Sequence, residues 1–414
     1  MKRALRDAVR ASRAWVFEGS TRAGTLERTE HGARFVYETA FLDACRARGR
    51  GLALRIGTGE PTVETRGVNL HPFFAGMLPE GLRLRALEGA MKTSSDDLFS
   101  LLVACGADPV GDVAVVPEAS SPRDDAPSVD VDAVGRVTFR DILAESLDYL
   151  GAKAERKALS GAQPKVSAAM ISLPIRGRRG GVPAPAILKL EPEDLPALVE
   201  NEHFFMRMAG QCGLKVAEVA RAIDAEGERG LLVRRFDRDV TPAGVVRKLH
   251  QEDGCQLLDR YPADKYRVSF AEVAEAVRDV VTSPSLELEM LLRLKAFSYV
   301  IGNGDLHARN VSVRITPGGR IELAPAYDLL STLPYGDRKM ALALEGRDDN
   351  LRRTHFVALG TRLGLRRSVV EEMLDALVVA AAPFVDQLEA MGLPPRKAAD
   401  LARLMRKRLG ELAR

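Results

Sequence analysis

The sequence predicts an α+β protein of two lobes with a cleft between them, preceded by a small unit of its own. Three observations carry this. Residues 153–240, within a lobe expected over 139–240, alternate glycine-containing turns, short strands and one helix. Residues 254–414, within a lobe expected over 241–414, are mostly helical in pattern, so sheet and helices segregate into two bodies. A loop dense in Asn, Asp, His and Arg sits between apolar runs in the second body, as expected of a site facing a cleft. The chain has 414 residues, 46% of them hydrophobic, which is enough to build cores of this size.

The first unit spans 1–116. "RAWVFEGSTRAGTLERTEHGARFVYET" alternates apolar and polar residues between glycines, the pattern of a small antiparallel sheet. "VNLHPFFAGMLPEGLRLRALEGAM" and "SDDLFSLLVACG" carry helical stripes, and "DVAVVP" reads as a closing strand. Residues 117–138 follow, rich in Pro, Ser and Asp, and are expected to be a linker or mobile loop.

In the strand-rich lobe, "LSGAQPKVSAAM" places a turn of small residues before an apolar strand, where backbone N–H groups can approach phosphate oxygens. "APAILKLEP" is a strand that carries Lys189 between Leu188 and Leu190. A lysine there needs an anion. The helix expected from near Leu195 has its apolar stripe at Leu198, Val199, Phe205, Met206 and Ala209, and Glu202 lies on that same face. A strand lysine paired with a helix glutamate is the arrangement that holds nucleotide phosphates in kinases. The same letters also fit an ion pair with no further role. "GLLVRRFDRD" runs an apolar strand into a charged turn. As an interlobe hinge, Arg234, Arg235 and Phe236 would meet adenine and Asp237 would reach a ribose hydroxyl. As a plain strand with a solvated end, the segment would do neither.

In the helical lobe, "LLRLKAFSYVIG" reads as a buried or amphipathic helix ending at Gly302, and "VSVRI" as a strand. Between them, "NGDLHARN" sets Asn303, Asp305, His307, Arg309 and Asn310 on a short loop. "IELAPAYDLLST" brings Asp328 beyond a second strand, and a hairpin of the two strands would place Asp328 beside Asn310. Such oxygens suit Mg²⁺, leaving Asp305 to orient a hydroxyl or accept its proton. His307 is expected to hold the loop by hydrogen bonds. A polar turn with an Asx-type cap is the plainer account of the loop. "KMALALEG" is expected to be a further strand-like piece.

A net charge of +3 excludes a polybasic nucleic-acid coat, although the two ends are more basic than the middle. Cys45, Cys105, Cys212 and Cys255 are far apart and match no metal-binding spacing, as expected of reduced thiols. The start lacks an apolar run of signal-peptide length, and no window reaches the ~18 uninterrupted apolar residues of a membrane span. A cytoplasmic protein that meets no membrane is expected.

"SGAQPK", "ILKLEP", "ENEHFF", "VRRFDR", "LHQEDGCQLL", "GNGDLHARN" and "AYDLLST" together resemble the HipA family of Ser/Thr kinase toxins, in the family's order and spacing. "HPFFAGMLPEG" and "DLFSLLVACGADPVGDVAVVP" resemble its N-terminal subdomain. The resemblance implies a two-lobed protein-kinase-like fold, ATP and Mg²⁺ as cofactors, and a HipB-like helix-turn-helix antitoxin through which operator DNA is met. It also implies a protein substrate in translation, of the aminoacyl-tRNA synthetase class. Carried over by motif, Ser160, Gly161, Ala162, Gln163, Pro164 and Lys165 form the phosphate loop and Lys189 is the ATP lysine. Arg234 to Phe236 form the hinge and Asp305 is the catalytic aspartate. His307, Ala308, Arg309 and Asn310 complete the loop, and Asp328 after Tyr327 is a metal ligand. Ala158 stands where many members carry an autophosphorylated serine, and Ser160 matches the site used by one branch. Arg309 stands where lysine is common and would hold a phosphate as a fork. A nucleotide-binding co-repressor without phosphoryl transfer is the competing reading, although the set Lys189, Asp305, Asn310 and Asp328 is complete. A small-molecule kinase on the same fold differs only in substrate.

Overall fold

A computed structural model of the chain describes residues 8–67, 69–122, 126–149, 170–192 and 194–414. The expected phosphate loop, including Ser160 and Lys165, lies outside the described residues.

The N-terminal unit is a five-stranded antiparallel sheet. Its strands are β1 (Arg13–Glu18), β2 (Thr21–Thr29), β3 (Gly32–Tyr37), β4 (Thr62–Arg66) and β5 (Val113–Pro117), in the order β4-β3-β2-β1-β5. Alternation drives it: Ala14 and Val16 on β1 and Phe35 and Tyr37 on β3 turn inward. The closing strand predicted from "DVAVVP" is β5, paired along β1 from Ala14 opposite Pro117 to Glu18 opposite Val113.

The second sheet contains β6 (Ser128–Asp130), β7 (Ile171–Arg179), β8 (Val182–Pro183), β9 (Ala186–Leu190), β10 (Val219–Ile223) and β11 (Arg229–Arg234). Its order is β10-β11-β9-β7-β6, with β8 paired to β7. β6 falls inside the segment expected to be linker. Val129 and Val134 explain the difference, because both are buried, and β6 runs parallel to β7 at the sheet edge. The N-terminal unit does not keep a core to itself. Phe35, Phe74 and Leu102 belong to one apolar cluster with Leu173, Leu188 and Leu190 of the second sheet.

β12 (Arg238–Val240) and β13 (Val246–Lys248) form a small ribbon after the sheet. In the helical lobe, β14 (Gln251–Asp253), β15 (Ser312–Ile315) and β16 (Ile321–Leu323) form a three-stranded sheet. The predicted hairpin is β15–β16, with Val313 opposite Leu323. The lobe is built on the 18-residue helix Pro284–Ile301, in which every residue from Leu294 to Ile301 is buried. Gly302 ends it at φ 70°, a left-handed conformation that glycine enters without a steric penalty. Two residues on, a Cβ at Gly304 would stand 2.6 Å from the Lys339 carbonyl oxygen, so only glycine lets the loop approach that backbone. "KMALALEG" forms no strand. Met340, Leu342 and Leu344 are buried, but the segment makes only an isolated bridge between Leu344 and Arg347.

All four cysteines are free. Among the described residues no helix is long and apolar enough to cross a membrane.

Candidate active site

β9 lies between β7 and β11, so alternate residues of this strand face different bodies. Leu188 and Leu190 enter the core shared with the N-terminal unit, while Ile187 packs on the core of the helical lobe. Lys189 shares the face of Ile187 and is therefore buried toward that lobe. The helix Leu198–Gln211 buries the predicted stripe Leu198, Val199, Phe205, Met206 and Ala209, and carries Glu202 inward with it. Lys189 Nζ donates to Glu202 Oε1 at 2.6 Å and also to Asp328 Oδ1.

One ammonium thus meets two carboxylates away from bulk water. Burial works against the charge on Lys189, but Asp328 and Glu202 outweigh it and hold the group firmly protonated. Burial pushes the Glu202 carboxyl up to about 7, against the pull of Lys189. Glu202 Oε2 has no hydrogen-bond partner among the described residues.

The hairpin brings Asn310 to Asp328 as predicted, with Asn310 Nδ2 donating to Asp328 Oδ2 at 3.0 Å. Asp328 sits at φ 56°, a left-handed conformation uncommon for a residue with a side chain. Tyr327 ties the two arms together. Its hydroxyl donates to the Arg309 carbonyl at 2.6 Å and lies 2.7 Å from Ser312 Oγ. The Asn310 Oδ1 oxygen is buried and has no hydrogen-bond partner among the described residues. An unpaired amide oxygen next to a carboxylate is the hard-ligand chemistry that a magnesium ion takes, so these residues fit that group.

Asp305 is 2% exposed. Its backbone N–H donates to Asn303 Oδ1 at 2.9 Å, and its Oδ1 accepts from the Tyr266 hydroxyl at 2.7 Å. His307 is expected to hold the loop by hydrogen bonds. It does so through its backbone: the His307 N–H donates to the Asp305 carbonyl, and the Ala308 N–H beside it to that of Lys265. Nδ1 of the His307 ring has no hydrogen-bond partner among the described residues. The ring packs edge-on against Tyr266, with centroids 5.1 Å apart. Burial, helped by Lys265, pushes its pKa down to about 3, so the ring is neutral.

Two expectations need correction. Arg309 does not stand free as a phosphate fork. Nε donates to Asp253 at 2.8 Å, another nitrogen to the Gly76 carbonyl at 2.7 Å, and a third pairs with Glu80 at 2.7 Å. Each of the three guanidinium nitrogens is thus engaged by a protein oxygen, two from carboxylates and one from a carbonyl. Asp237 does not offer its carboxylate to a ribose either. Both oxygens accept from Arg235, at 3.0 and 2.7 Å, and Oδ2 also accepts from Arg238 and from the Gly111 N–H. Burial opposes the charge, yet the two arginines keep the Asp237 carboxyl ionised. Asp108 of the N-terminal unit pairs with both arginines, which makes this a clamp between that unit and the strand-rich lobe.

The whole segment Arg234–Asp237, expected as the hinge, borders the cleft. Arg234 is exposed and pairs with Glu218 at 3.0 Å, and Arg235 is buried. The Phe236 carbonyl accepts from Arg314, and its ring packs on Tyr327 with centroids 5.4 Å apart. The cleft has a volume of about 320 Å³ and is lined by Lys189, Arg234, Phe236, Asn310, Tyr327 and Asp328, among others.

Glu80, Tyr266, Lys265 and Asp253 were missed as members of the site. "HPFFAGMLPEG" and "LHQEDGCQLL" held two of them in motifs to which no role was given. The Asp253-x-x-Gln256 spacing was a legible signal, since these two form a capping box that starts the short helix Gly254–Leu257.

A lysine on a central strand, paired to a helix glutamate and facing an Asn–Asp pair across a cleft between two lobes, defines a protein of the kinase-like class. The chain belongs to the HipA family. Residues 157–385 match the HipA-like C-terminal domain and residues 14–116 the HipA N-terminal domain. The putative kinase Y4mE of Sinorhizobium fredii is 34% identical over 76% of this chain and 79% of its own. The Serine/threonine-protein kinase toxin HipA of Shewanella oneidensis is 27% identical over 84% of this chain and 86% of its own. Among solved structures, the Shewanella oneidensis HipA, HipB and operator DNA complex contains a chain of the same fold. It matches with a TM-score of 0.73 and 22% identity, over 96% of this chain and 97% of that one.

Proposed function

We propose that the protein is an ATP- and Mg²⁺-dependent Ser/Thr protein kinase, the toxin of a HipBA-like toxin–antitoxin pair. The observation that carries this is the buried contact of Lys189 with both Glu202 and Asp328, with Asn310 on the same carboxylate. In this reading Lys189 meets the nucleotide phosphates, and Asn310 and Asp328 hold the magnesium ion, which neutralises phosphate charge. Asp305 takes the proton of the attacking hydroxyl as the new oxygen–phosphorus bond forms and ADP leaves. Phe236 and Arg234 border the place for the adenosine end, while Asp237 acts as a strut. A HipB-like helix-turn-helix partner, operator DNA met mainly through it, and a translation protein of the aminoacyl-tRNA synthetase class as substrate follow from the family. Growth arrest would follow from phosphorylating such a substrate in the cytoplasm.

Asp305→Ala tests the reading. Loss of a positioned base lowers phosphoryl transfer by about 10²–10⁴-fold while nucleotide binding persists. Transfer of labelled phosphate from ATP to lysate proteins, beside calorimetric ATP binding, separates the two. Full transfer by the variant would overturn the assignment.

A further inference from the structure

The carboxylate assigned as the base is covered in this conformation. Asp305 is almost fully buried and is not among the described residues that line the cleft. The half-buried Tyr266 donates its hydroxyl to Asp305 Oδ1 at 2.7 Å, the bond that a substrate serine would make. Its ring and that of His307 meet edge-on beside the loop.

The segment that carries Tyr266 is fastened at its neighbour. The Lys265 carbonyl accepts the Ala308 N–H at 3.1 Å, and Lys265 Nζ lies 5.3 Å from the centre of the Tyr266 ring. Nζ also donates to both oxygens of Glu80, at 3.0 and 3.2 Å. The Glu80 side chain is 40% exposed, and although the packing around it works against its charge, Arg309 and Lys265 hold its carboxyl down to about 2, so the tie is ionic at neutral pH. Glu80 belongs to the N-terminal unit, before the helix Gly81–Met91. A residue 185 positions earlier thus holds down the cover of the catalytic loop.

We propose that Tyr266 is an internal stand-in for the acceptor hydroxyl, and that the Glu80–Lys265 pair keeps it seated. The acceptor must displace the phenol from Asp305, and movement of the N-terminal unit that releases Lys265 lowers the barrier to that exchange. The phenol and the acceptor each donate one hydrogen bond to the same carboxylate, so the exchange leaves the base satisfied in both states. The proposal rests on Asp305 being the base, but the cover itself can be read without any turnover.

Carboxylate labelling of the full-length chain with a carbodiimide and glycine ethyl ester, quantified by peptide mass spectrometry, reads that cover. The exposed Asp386 serves as the reference for dose, and the melting temperature as the check of folding. Tyr266→Ala is expected to raise the labelling rate of Asp305 on the order of tenfold, as for a group moved from rare opening to open access. Glu80→Gln keeps the shape, removes the charge and is expected to give a smaller rise, so the test survives if the tyrosine variant fails to fold. Labelling of Asp305 at the wild-type rate in the folded variants overturns the proposal. A rise with Tyr266→Ala but none with Glu80→Gln overturns the role of the N-terminal tie. Phosphate transfer from Mg-ATP is measured in parallel. A wild-type protein that transfers none removes the kinase reading, whereas an active enzyme with unchanged labelling removes the cover alone.

Discussion

Replacing Lys189 with methionine keeps the length of the side chain and removes its charge. Two partners are left behind: Asp328, whose half-buried carboxylate still reaches solvent and accepts from Asn310, and Glu202, 1% exposed on a helix that cannot turn away without unpacking Phe205 and Met206. Removing one member of a buried ion pair costs about 3–5 kcal/mol, because the other is stranded without solvent. At about 2–4 °C per kcal/mol for domains of this size, Lys189→Met should melt about 6–20 °C below wild type. The loss should depend on pH in a definite direction. Burial already pushes Glu202 up to about 7 with Lys189 present to oppose it, and without Lys189 it rises further. A carboxyl whose folded pKa lies above its unfolded value favours folding below the unfolded pKa, and that advantage is lost as pH rises through the folded one. The variant should therefore lie near wild type at about pH 5 and far below it at about pH 8. Lys189→Met combined with Glu202→Leu should recover most of the loss, since the fully buried charge is then gone and Asp328 keeps solvent and Asn310 as partners. Thermal unfolding of the three proteins across that range is the assay. An equal deficit at both ends, with no recovery in the double variant, would refute the stranded-carboxylate argument.

Asn310→Ala and Asp328→Ala should each weaken Mg²⁺-dependent ATP binding as well as turnover. Calorimetry with and without Mg²⁺ checks this, and wild-type affinity in both would move the metal site elsewhere. His250 is clamped between Asp112 and Glu252, each at 2.8 Å. Burial opposes its charge, but those carboxylates push its pKa up to about 9. Its contribution is therefore full below about pH 6.5 and lost as pH climbs toward 9, and His250→Gln should flatten that fall in melting temperature. Ser160 is expected to carry phosphate after incubation with Mg-ATP in the active protein and not in Asp305→Ala. In the phosphate loop proposed for Ser160, such a group would add roughly −1.5 to −2 charge and should lower ATP affinity, which mass spectrometry and calorimetry read together.

The elements around the site were legible because their signals are local. An apolar strand interrupted by Lys189, a helical stripe that includes Glu202, and two short strands flanking a turn all follow from periods of 2 and 3.6. Those periods say which face a residue takes, and burial then demands a partner of opposite charge. Lys189 found Glu202 only 13 positions away, and Asn310 found Asp328 across a hairpin, so short-range reasoning was enough.

Where the partner comes from far along the chain, composition could not choose it. Arg309 and Asp237 have the same letters whether they face a ligand or the protein. Asp108, 130 positions before Arg238, and Glu80 in the N-terminal unit decide the matter, because a desolvated ion pairs with whatever opposite charge packing delivers. The stretch 117–138 failed for a related reason. Four valines scattered among prolines, serines and aspartates do not mark a strand by pattern, and only the exposed edge of β7 makes β6 worth forming. Sequence alone thus determined the family, the two lobes and the Lys–Glu and Asn–Asp pairs. Tertiary structure decided which charges remain for a ligand, since that depends on contacts between units that no local period encodes.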